Sequence, residues 1–146
     1  MRVLSKARRP DDSGIAGMHS SSVGVTIAVI SRSVLIVDDH TSFRRFARRS
    51  LEQAGFRVVG EAANGTTGLA ETYRLSPDVV LLDVLLPDLS GLEVARRLAP
   101  CEATTVVLTS SRGADELGVA LDEAEANGFI PKSELSGASL ARLLGR

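Results

Sequence analysis

Residues 78–91, DVVLLDVLLPDLSG, constrain the fold more than any other part of the sequence. The apolar run over residues 79–82 has no polar face, which is typical of a central strand in a parallel sheet with helices on both sides. The run ends at Asp83, and the loop after it contains Pro87 and Gly91. Because open α/β folds bind ligands at the carboxyl ends of such strands, we predict that Asp83 is the reactive residue.

Strand and helix patterns alternate five times from residue 33 onward. The predicted strands span residues 34–37, 56–62, 78–82, 104–109 and 128–131. The predicted helices run from a cap at Thr41 or Ser42 to about Ala54, over 66–75, 91–98 and 113–126, and from a cap at Ser136 to Leu144. The inner face of the first helix is expected to carry Phe43, Phe46, Ala47, Ser50 and Leu51. This alternation favours an α/β fold with a parallel sheet and right-handed crossovers.

Composition restricts the class of protein. A chain of 146 residues with 44% apolar and 24% charged residues is typical of one soluble globular domain. The net charge of −1 gives no indication of binding to nucleic acid or to an acidic membrane. The single cysteine, Cys101, excludes an internal disulfide and a cysteine metal cluster. No apolar run reaches the ~18 residues of a membrane span.

Residues 1–32 differ in composition from the rest of the chain. They are rich in turn-forming residues, and we expect a disordered N-terminal extension. The apolar run over 23–30 follows basic residues, as in a secretory signal, but it is short and lacks a small-residue cleavage site. A flexible extension, or a true start at Met18 or later, is the favoured interpretation.

Five polar residues fall at or just after the ends of predicted strands: Asp38, Asp39, Asp83, Thr109 and Lys132. If the first and third strands are neighbours, their carboxylates converge in one crevice. Crowded carboxylates repel one another unless a cation intervenes, and Mg²⁺ is the hard cation that oxygen ligands prefer. A carboxylate beside Mg²⁺ can attack a phosphoryl group, and a hydroxyl and an ammonium can bind its oxygens.

The segments VLIVDDH, VVLLDVLLPDLSG, VVLTSS and GFIPKSEL resemble the four signature segments of the receiver domain of bacterial two-component response regulators. The resemblance covers residues 33 to about 145. It implies a receiver domain over residues 33–146 with the flavodoxin-like (βα)5 fold and the strand order 2-1-3-4-5.

The resemblance also implies roles for the acidic residues. Asp83 matches the site that a histidine kinase or a phosphotransfer protein phosphorylates. Asp39 matches the direct Mg²⁺ ligand, and Asp38 its partner that acts partly through water. The remaining protein ligand in the family is a backbone carbonyl two residues after the phosphoacceptor, here that of Leu85.

Three further positions match the family's switch. Thr109 matches the hydroxyl that moves onto the phosphoryl group, Lys132 the lysine that pairs with it, and Phe129 the aromatic residue whose rotamer follows the threonine. A core role for Phe129 is compatible with this. The sequence departs from the usual pattern because Pro131 precedes the lysine and Ser133 follows it, so the geometry of this loop is not carried over.

Charge is distributed unevenly over two of the predicted helices. The first carries Arg44, Arg45, Arg48 and Arg49 against one Glu52, and the helix over 113–126 carries five acidic residues and no basic one. Solvated faces of amphipathic helices explain this, as does an arginine face that docks an acidic partner such as the kinase. His40 follows the acidic pair and is a candidate residue at the rim of the site.

The sequence therefore predicts a cytoplasmic, Mg²⁺-dependent receiver that is phosphorylated on Asp83 and signals by protein contact. We expect no enzymatic activity beyond slow hydrolysis of the acyl phosphate, no DNA-binding output domain and no membrane association. The alternatives are a phosphorylation-independent interaction scaffold and a phosphatase or phosphotransferase with an aspartate nucleophile. A nucleotide-binding fold is disfavoured because no glycine-rich loop follows the first strand.

Overall fold

The computed structural model of the protein describes residues 2–3, 31–112 and 124–145. Within these residues five parallel strands form one sheet: β1 (Ser33–Val37), β2 (Arg57–Ala62), β3 (Val79–Asp83), β4 (Thr105–Ser110) and β5 (Gly128–Pro131). Their order across the sheet is β2-β1-β3-β4-β5. This confirms the predicted flavodoxin-like order, in which β1 and β3 are neighbours at the switch point of the sheet.

Helices cover both faces of this sheet. The described residues contain α1 (Thr41–Gln53), α2 (Gly65–Leu75), α3 (Gly91–Leu98) and α4 (Gly137–Leu143), with a short 3₁₀ helix, Lys132–Glu134, before α4. The side chain of Asn64 caps α2 and that of Ser136 caps α4, each by accepting a hydrogen bond from a backbone amide. The helix predicted over 113–126 falls mostly on residues 113–123, outside the described part of the chain, and residues 124–126 are not helical.

The core consists of two apolar clusters, one on each face of the sheet. One packs α2 and α3 against the strands through residues such as Leu69, Val94 and Leu98. The other packs α1 and α4 through residues such as Leu51 and Leu140. Burying one such side chain contributes about 1.5–3 kcal/mol. The core is mostly aliphatic, with Phe56 and Phe129 also buried in it, in a chain that has no tryptophan.

Two predicted details of α1 are wrong. Phe46 was expected on the inner face, but 50% of it is exposed, because the buried stripe of the helix is centred on Leu51 and leaves Phe46 at its edge. Neither Thr41 nor Ser42 is the cap. The N-cap residue is His40, which has an extended backbone and makes no capping hydrogen bond with its side chain. Helix α1 therefore starts two residues after Asp39.

The sheet has one strand that the sequence did not predict. Arg2–Val3 pairs antiparallel with β5, with Arg2 opposite Phe129 and Val3 opposite Gly128. Two residues are too few to produce a periodic pattern, so this pairing could not be predicted from the sequence. Residues 4–30, which make up most of the expected extension, lie outside the described residues.

Candidate functional site

The strand order brings polar side chains together at one edge of the sheet. Val37 of β1 lies opposite Leu82 of β3, and Asp83 lies opposite Thr109 of β4. Asp38 follows Val37 directly, so Asp38 and Asp83 hold equivalent positions on neighbouring strands. Parallel strands end at a common edge, and the predicted convergence of these residues follows from that topology.

Lys132 lies between two buried carboxylates. Its Nζ is 2.7 Å from Asp38 Oδ2 and 3.2 Å from Asp83 Oδ2. Asp38 and Asp83 are only 1% and 3% exposed. The ammonium also lies 4.6 Å from the ring centroid of Phe43, a cation–π contact that the sequence did not indicate. Although the proline here precedes the lysine, Lys132 is directed into the site.

These contacts shift the protonation equilibria of both partners. Burial raises the pKa of Asp83 above its ordinary value, and the charge of Asp38 raises it further, against the opposing effects of the Leu85 amide and Lys132. For Lys132, burial acts to lower the pKa, but the hydrogen bond to Asp38 and the charge of Asp83 outweigh it, so that the pKa is raised. The lysine therefore remains charged beside two carboxylates.

Asp39 and His40 complete the cluster at the rim of the site. The Nδ1 atom of His40 is 3.1 Å from Asp38 Oδ1 and 3.2 Å from Asp39 Oδ1. One potential ligand atom from each of Asp38, Asp39, His40 and Asp83 lies within 4.8 Å of all the others. Three carboxylates opposite one lysine leave an excess of negative charge, and carboxylate oxygens are the ligands that Mg²⁺ prefers. The residues present therefore fit a divalent cation.

Thr109 carries a buried hydroxyl that has no partner in the described part of the chain. The residue is 1% exposed, and its Oγ1 has no hydrogen-bond partner among the described residues. Residues opposite each other in a parallel sheet point to the same face, so the Thr109 and Asp83 side chains share one face. An unsatisfied buried hydroxyl costs free energy, and a ligand with acceptor oxygens would satisfy it.

The backbone after Asp83 folds back over the carboxylate. The Leu85 amide donates to Asp83 Oδ1 at 3.1 Å, and the Gly91 amide donates to the Val84 carbonyl at 2.8 Å. A Cβ atom at Gly91 would lie 2.0 Å from the Asp83 carbonyl oxygen, so this close approach requires glycine. The turn fixes both the Asp83 side chain and the Leu85 backbone predicted to bind the metal.

The same loop contains Asp88, a residue whose role the sequence analysis missed. Its carboxylate accepts hydrogen bonds from the Gly65 amide at 2.8 Å, the Thr66 amide at 3.0 Å and the Thr66 hydroxyl at 2.6 Å. These donors, the hydroxyl first among them, hold the pKa of Asp88 far below its ordinary value. Asp88 thus ties the loop after Asp83 to the N-terminus of α2, where the helix dipole also favours a negative charge.

Two of the four arginines of α1 are paired within the protein. Arg44 Nε is 2.9 Å from one carboxylate oxygen of Glu61 on β2, and Arg48 Nε is 2.7 Å from the other. Burial acts to raise the pKa of Glu61, but the hydrogen bonds from the two arginines lower it overall. The exposed arginines next to these are Arg45 and Arg49, so the predicted basic face is narrower than the sequence suggested.

Phe129 is fully buried in the cluster that packs α2 and α3 against the sheet. It lies opposite Leu108, the residue before Thr109, in the pairing of β5 with β4. Phe129 is therefore a core residue, and its neighbour Ile130 is the residue that pairs with Thr109. The role of Phe129 as a switch stays a prediction.

A family model and several curated proteins match most of this chain. The family described as response regulator receiver domain matches residues 34–143. The KDP operon transcriptional regulatory protein KdpE of Escherichia coli K12 is 38% identical over 111 residues, which cover 76% of this chain and 49% of KdpE. A protein-glutamate methylesterase/protein-glutamine glutaminase of Alkalilimnicola ehrlichii is 38% identical over 108 residues, 70% of this chain and 28% of that protein. The chain thus spans about half the length of these relatives or less.

Among solved structures, the signal receiver domain of the response regulator NarL from Mycobacterium tuberculosis is similar in fold and sequence. It superimposes with a TM-score of 0.70 at 32% identity, over 80% of this chain and 98% of that one. No helix in the described part of the protein is both long and apolar enough to cross a membrane.

Proposed function

The chain belongs to the response regulator receiver domain family, and on that premise we propose that Asp83 is its phosphoacceptor. Receiver domains act in two-component signalling, where histidine kinases or phosphotransfer proteins phosphorylate them. The observation that supports Asp83 is its position at the end of the central strand, buried beside Asp38 and 3.2 Å from Lys132. This position places the nucleophilic carboxylate of Asp83 beside the Lys132 ammonium, which can bind the incoming phosphoryl group.

In the proposed reaction an Asp83 carboxylate oxygen attacks the phosphorus of a phosphohistidine. The new P–O bond forms as the P–N bond breaks, and the electron pair leaves with the imidazole. Mg²⁺ held by Asp38, Asp39, Asp83 and the Leu85 carbonyl would supply positive charge for the phosphoryl oxygens. The hydrogen bond from the Leu85 amide orients the Asp83 carboxylate for the attack.

Lys132 and Thr109 are the proposed donors to the transferred group. Lys132 already contacts Asp83, and a phosphoryl oxygen is a stronger acceptor than the carboxylate it would replace. The Thr109 hydroxyl has no hydrogen-bond partner among the described residues. It gains one when it turns toward the phosphoryl group. The contacts with the phosphoryl oxygens form only in the phosphorylated state, and the one from Thr109 favours a rearrangement of β4.

We further propose that this rearrangement reaches Phe129 through the backbone. Leu108 precedes Thr109 and pairs with Phe129, so a shift of the end of β4 alters the packing beside β5. The output is then a changed surface for a downstream protein. DNA binding is not proposed, because the net charge of −1 offers no basis for it. The proposed setting is the cytoplasm, with residues 33–146 as the domain and 1–32 as an extension.

Intact mass spectrometry tests the proposal. The full chain is incubated with MgCl₂ and acetyl phosphate, beside Asp83→Asn and the control Glu102→Gln, which alters an exposed carboxylate of another loop. We expect wild type and Glu102→Gln to gain one phosphoryl group and Asp83→Asn to gain none.

Two other results would overturn the proposal. If no variant is modified, with phosphoramidate as a second donor giving the same result, the chain is a phosphorylation-independent scaffold. If Asp83→Asn is modified as fast as wild type, the acceptor is another residue. Continuous turnover of a generic phosphate ester would favour a phosphatase or phosphotransferase.

A further inference from the structure

His40 occupies a position for which its side chain has no helical role. It is the N-cap residue of α1, where Ser, Thr, Asp and Asn are preferred because they accept a hydrogen bond from the first turn. The imidazole makes no such bond. The ring is instead directed toward the carboxylates of Asp38 and Asp39.

The imidazole Nδ1 lies close to three polar atoms of the site. It is 3.1 Å from Asp38 Oδ1, 3.2 Å from Asp39 Oδ1 and 3.5 Å from Lys132 Nζ. In one tautomer Nδ1 carries a hydrogen that the carboxylates accept, and in the other its lone pair accepts a hydrogen bond or binds a cation. A divalent metal bound by the imidazole and both carboxylates fits the second tautomer.

The spacing of these atoms matches a shared metal. Neighbouring ligands of an octahedral ion with bonds of about 2.1 Å are separated by about 3 Å. The two nitrogen–oxygen distances have this value, and the carboxylate of Asp83 lies within 4.8 Å of the same atoms. A second observation in favour of a bound ligand here is the buried Thr109 hydroxyl, which shares the face of Asp83 and has no partner in the described residues.

We propose that His40 is a nitrogen ligand to the metal of this site and makes it selective for later first-row divalent ions such as Ni²⁺, Co²⁺ and Zn²⁺ over Mg²⁺. This inference rests on the proposed function, since it concerns the same metal site. Carboxylates alone suit Mg²⁺, whereas imidazole favours the later transition metals, in line with the Irving–Williams order. Mg²⁺ binds through the carboxylates, and the transition metals gain the imidazole in addition.

Isothermal titration calorimetry of the untagged full chain with NiCl₂ and with MgCl₂ tests this proposal without any phosphorylation. The variants are His40→Asn, His19→Asn as a matched control on the chain's other histidine, and Asp39→Asn. Asparagine is a favourable N-cap residue, so His40→Asn is expected to fold. We expect His40→Asn to lose about 10-fold or more in Ni²⁺ affinity, the scale of a disturbed metal site, while its Mg²⁺ affinity changes by less than about threefold.

The remaining variants separate the two proposals. We expect His19→Asn to match wild type with both metals, and Asp39→Asn to lose affinity for both. If the ratio of Ni²⁺ to Mg²⁺ affinity is the same in His40→Asn and wild type, Nδ1 contacts the carboxylates only through hydrogen bonds and the proposal is wrong, although the Mg²⁺ site stands. If wild type binds neither metal, the proposed function fails as well. A nitrogen coupling in the pulsed electron paramagnetic resonance spectrum of bound Mn²⁺, absent in His40→Asn, would show the imidazole at the metal directly.

Discussion

At the scale of single residues, the site concentrates like charges in a buried position. Asp38 and Asp83 are almost inaccessible to solvent, and Lys132 is the ammonium between them. Burying a carboxylate beside another costs free energy, and one lysine offsets only part of it. Such an arrangement favours ligand binding over stability, as is common where carboxylates are grouped for function.

Asp83→Asn should therefore stabilise the protein when divalent cations are absent. The pKa of Asp83 is raised in the folded state, so folding favours its protonated form, and this contribution is lost as the pH rises through the folded pKa. Above the folded pKa the wild type carries the cost of the charge, and we expect the variant to gain about 1 kcal/mol in free energy of unfolding at pH 7. Urea denaturation at pH 7 and at about pH 4 would measure it.

The difference between Asp83→Asn and wild type should shrink at the lower pH, where Asp83 binds a proton in the folded protein. A variant less stable than wild type at pH 7 would contradict this account of the charges.

At the scale of elements, the loop between β3 and α3 connects three parts of the fold. Its first residues cover Asp83, Gly91 allows α3 to start against the Asp83 backbone, and Asp88 binds the first turn of α2. The position of the reactive carboxylate thus depends on helix termini as well as on its own strand. Capping interactions of this kind contribute to stability through the charged acceptor.

Asp88→Asn should lower the melting temperature at neutral pH. The pKa of Asp88 lies far below its ordinary value, because the Thr66 hydroxyl and the amides of Thr66 and Gly65 stabilise the charged form. This stabilisation is present above the ordinary pKa of an aspartate and is lost as the pH falls through the folded value. Differential scanning calorimetry at pH 7 should show the loss, and a titration toward acid should reduce the gap from wild type.

Glu102→Gln is a suitable control for Asp88→Asn, since Glu102 is an exposed carboxylate in another loop and the substitution removes the same charge. An equal shift in both variants would mean that net charge, and not the cap, is responsible.

At the scale of the whole molecule, the site exists only when the sheet is complete. Asp38, Asp83, Thr109 and Lys132 come from the ends of four strands, and 94 positions separate the first from the last. An unfolded chain has no comparable arrangement of carboxylates. A ligand that binds the folded site therefore stabilises the entire fold by mass action.

Mg²⁺ should accordingly stabilise the protein against urea. At a free concentration of 100 times Kd, the free energy of unfolding should rise by about 2.7 kcal/mol. Asp39→Asn should abolish the increase, because it removes a proposed ligand, and Glu102→Gln should retain it, because Glu102 is an exposed carboxylate of another loop. Unfolding curves that are the same with and without Mg²⁺ would count against the metal site.

Much of the architecture could be predicted from the sequence because its signals are local. The apolar run over 79–82 requires no knowledge of distant residues, and β3 appears as predicted. The order of the strands was implied by the resemblance to receiver domains, and the structure has that order. The convergence of Asp38 and Asp83 follows from strand ends that meet at one edge of the sheet. The helix bounds agree to within one or two residues wherever the chain is described, except that residues 124–126 are not helical.

By itself, the sequence determined the order of elements along the chain and the edge of the sheet at which the polar residues meet. Only the tertiary structure decided the partners: His40 beside the acidic pair, Asp88 at the start of α2, Glu61 beneath the arginines of α1, and Phe46 at the surface. Periodicity depends on neighbours within a few residues, whereas these contacts join segments that approach only after the helices pack on the sheet. For the same reason the sequence places a side chain on an element but does not specify the atom that it contacts.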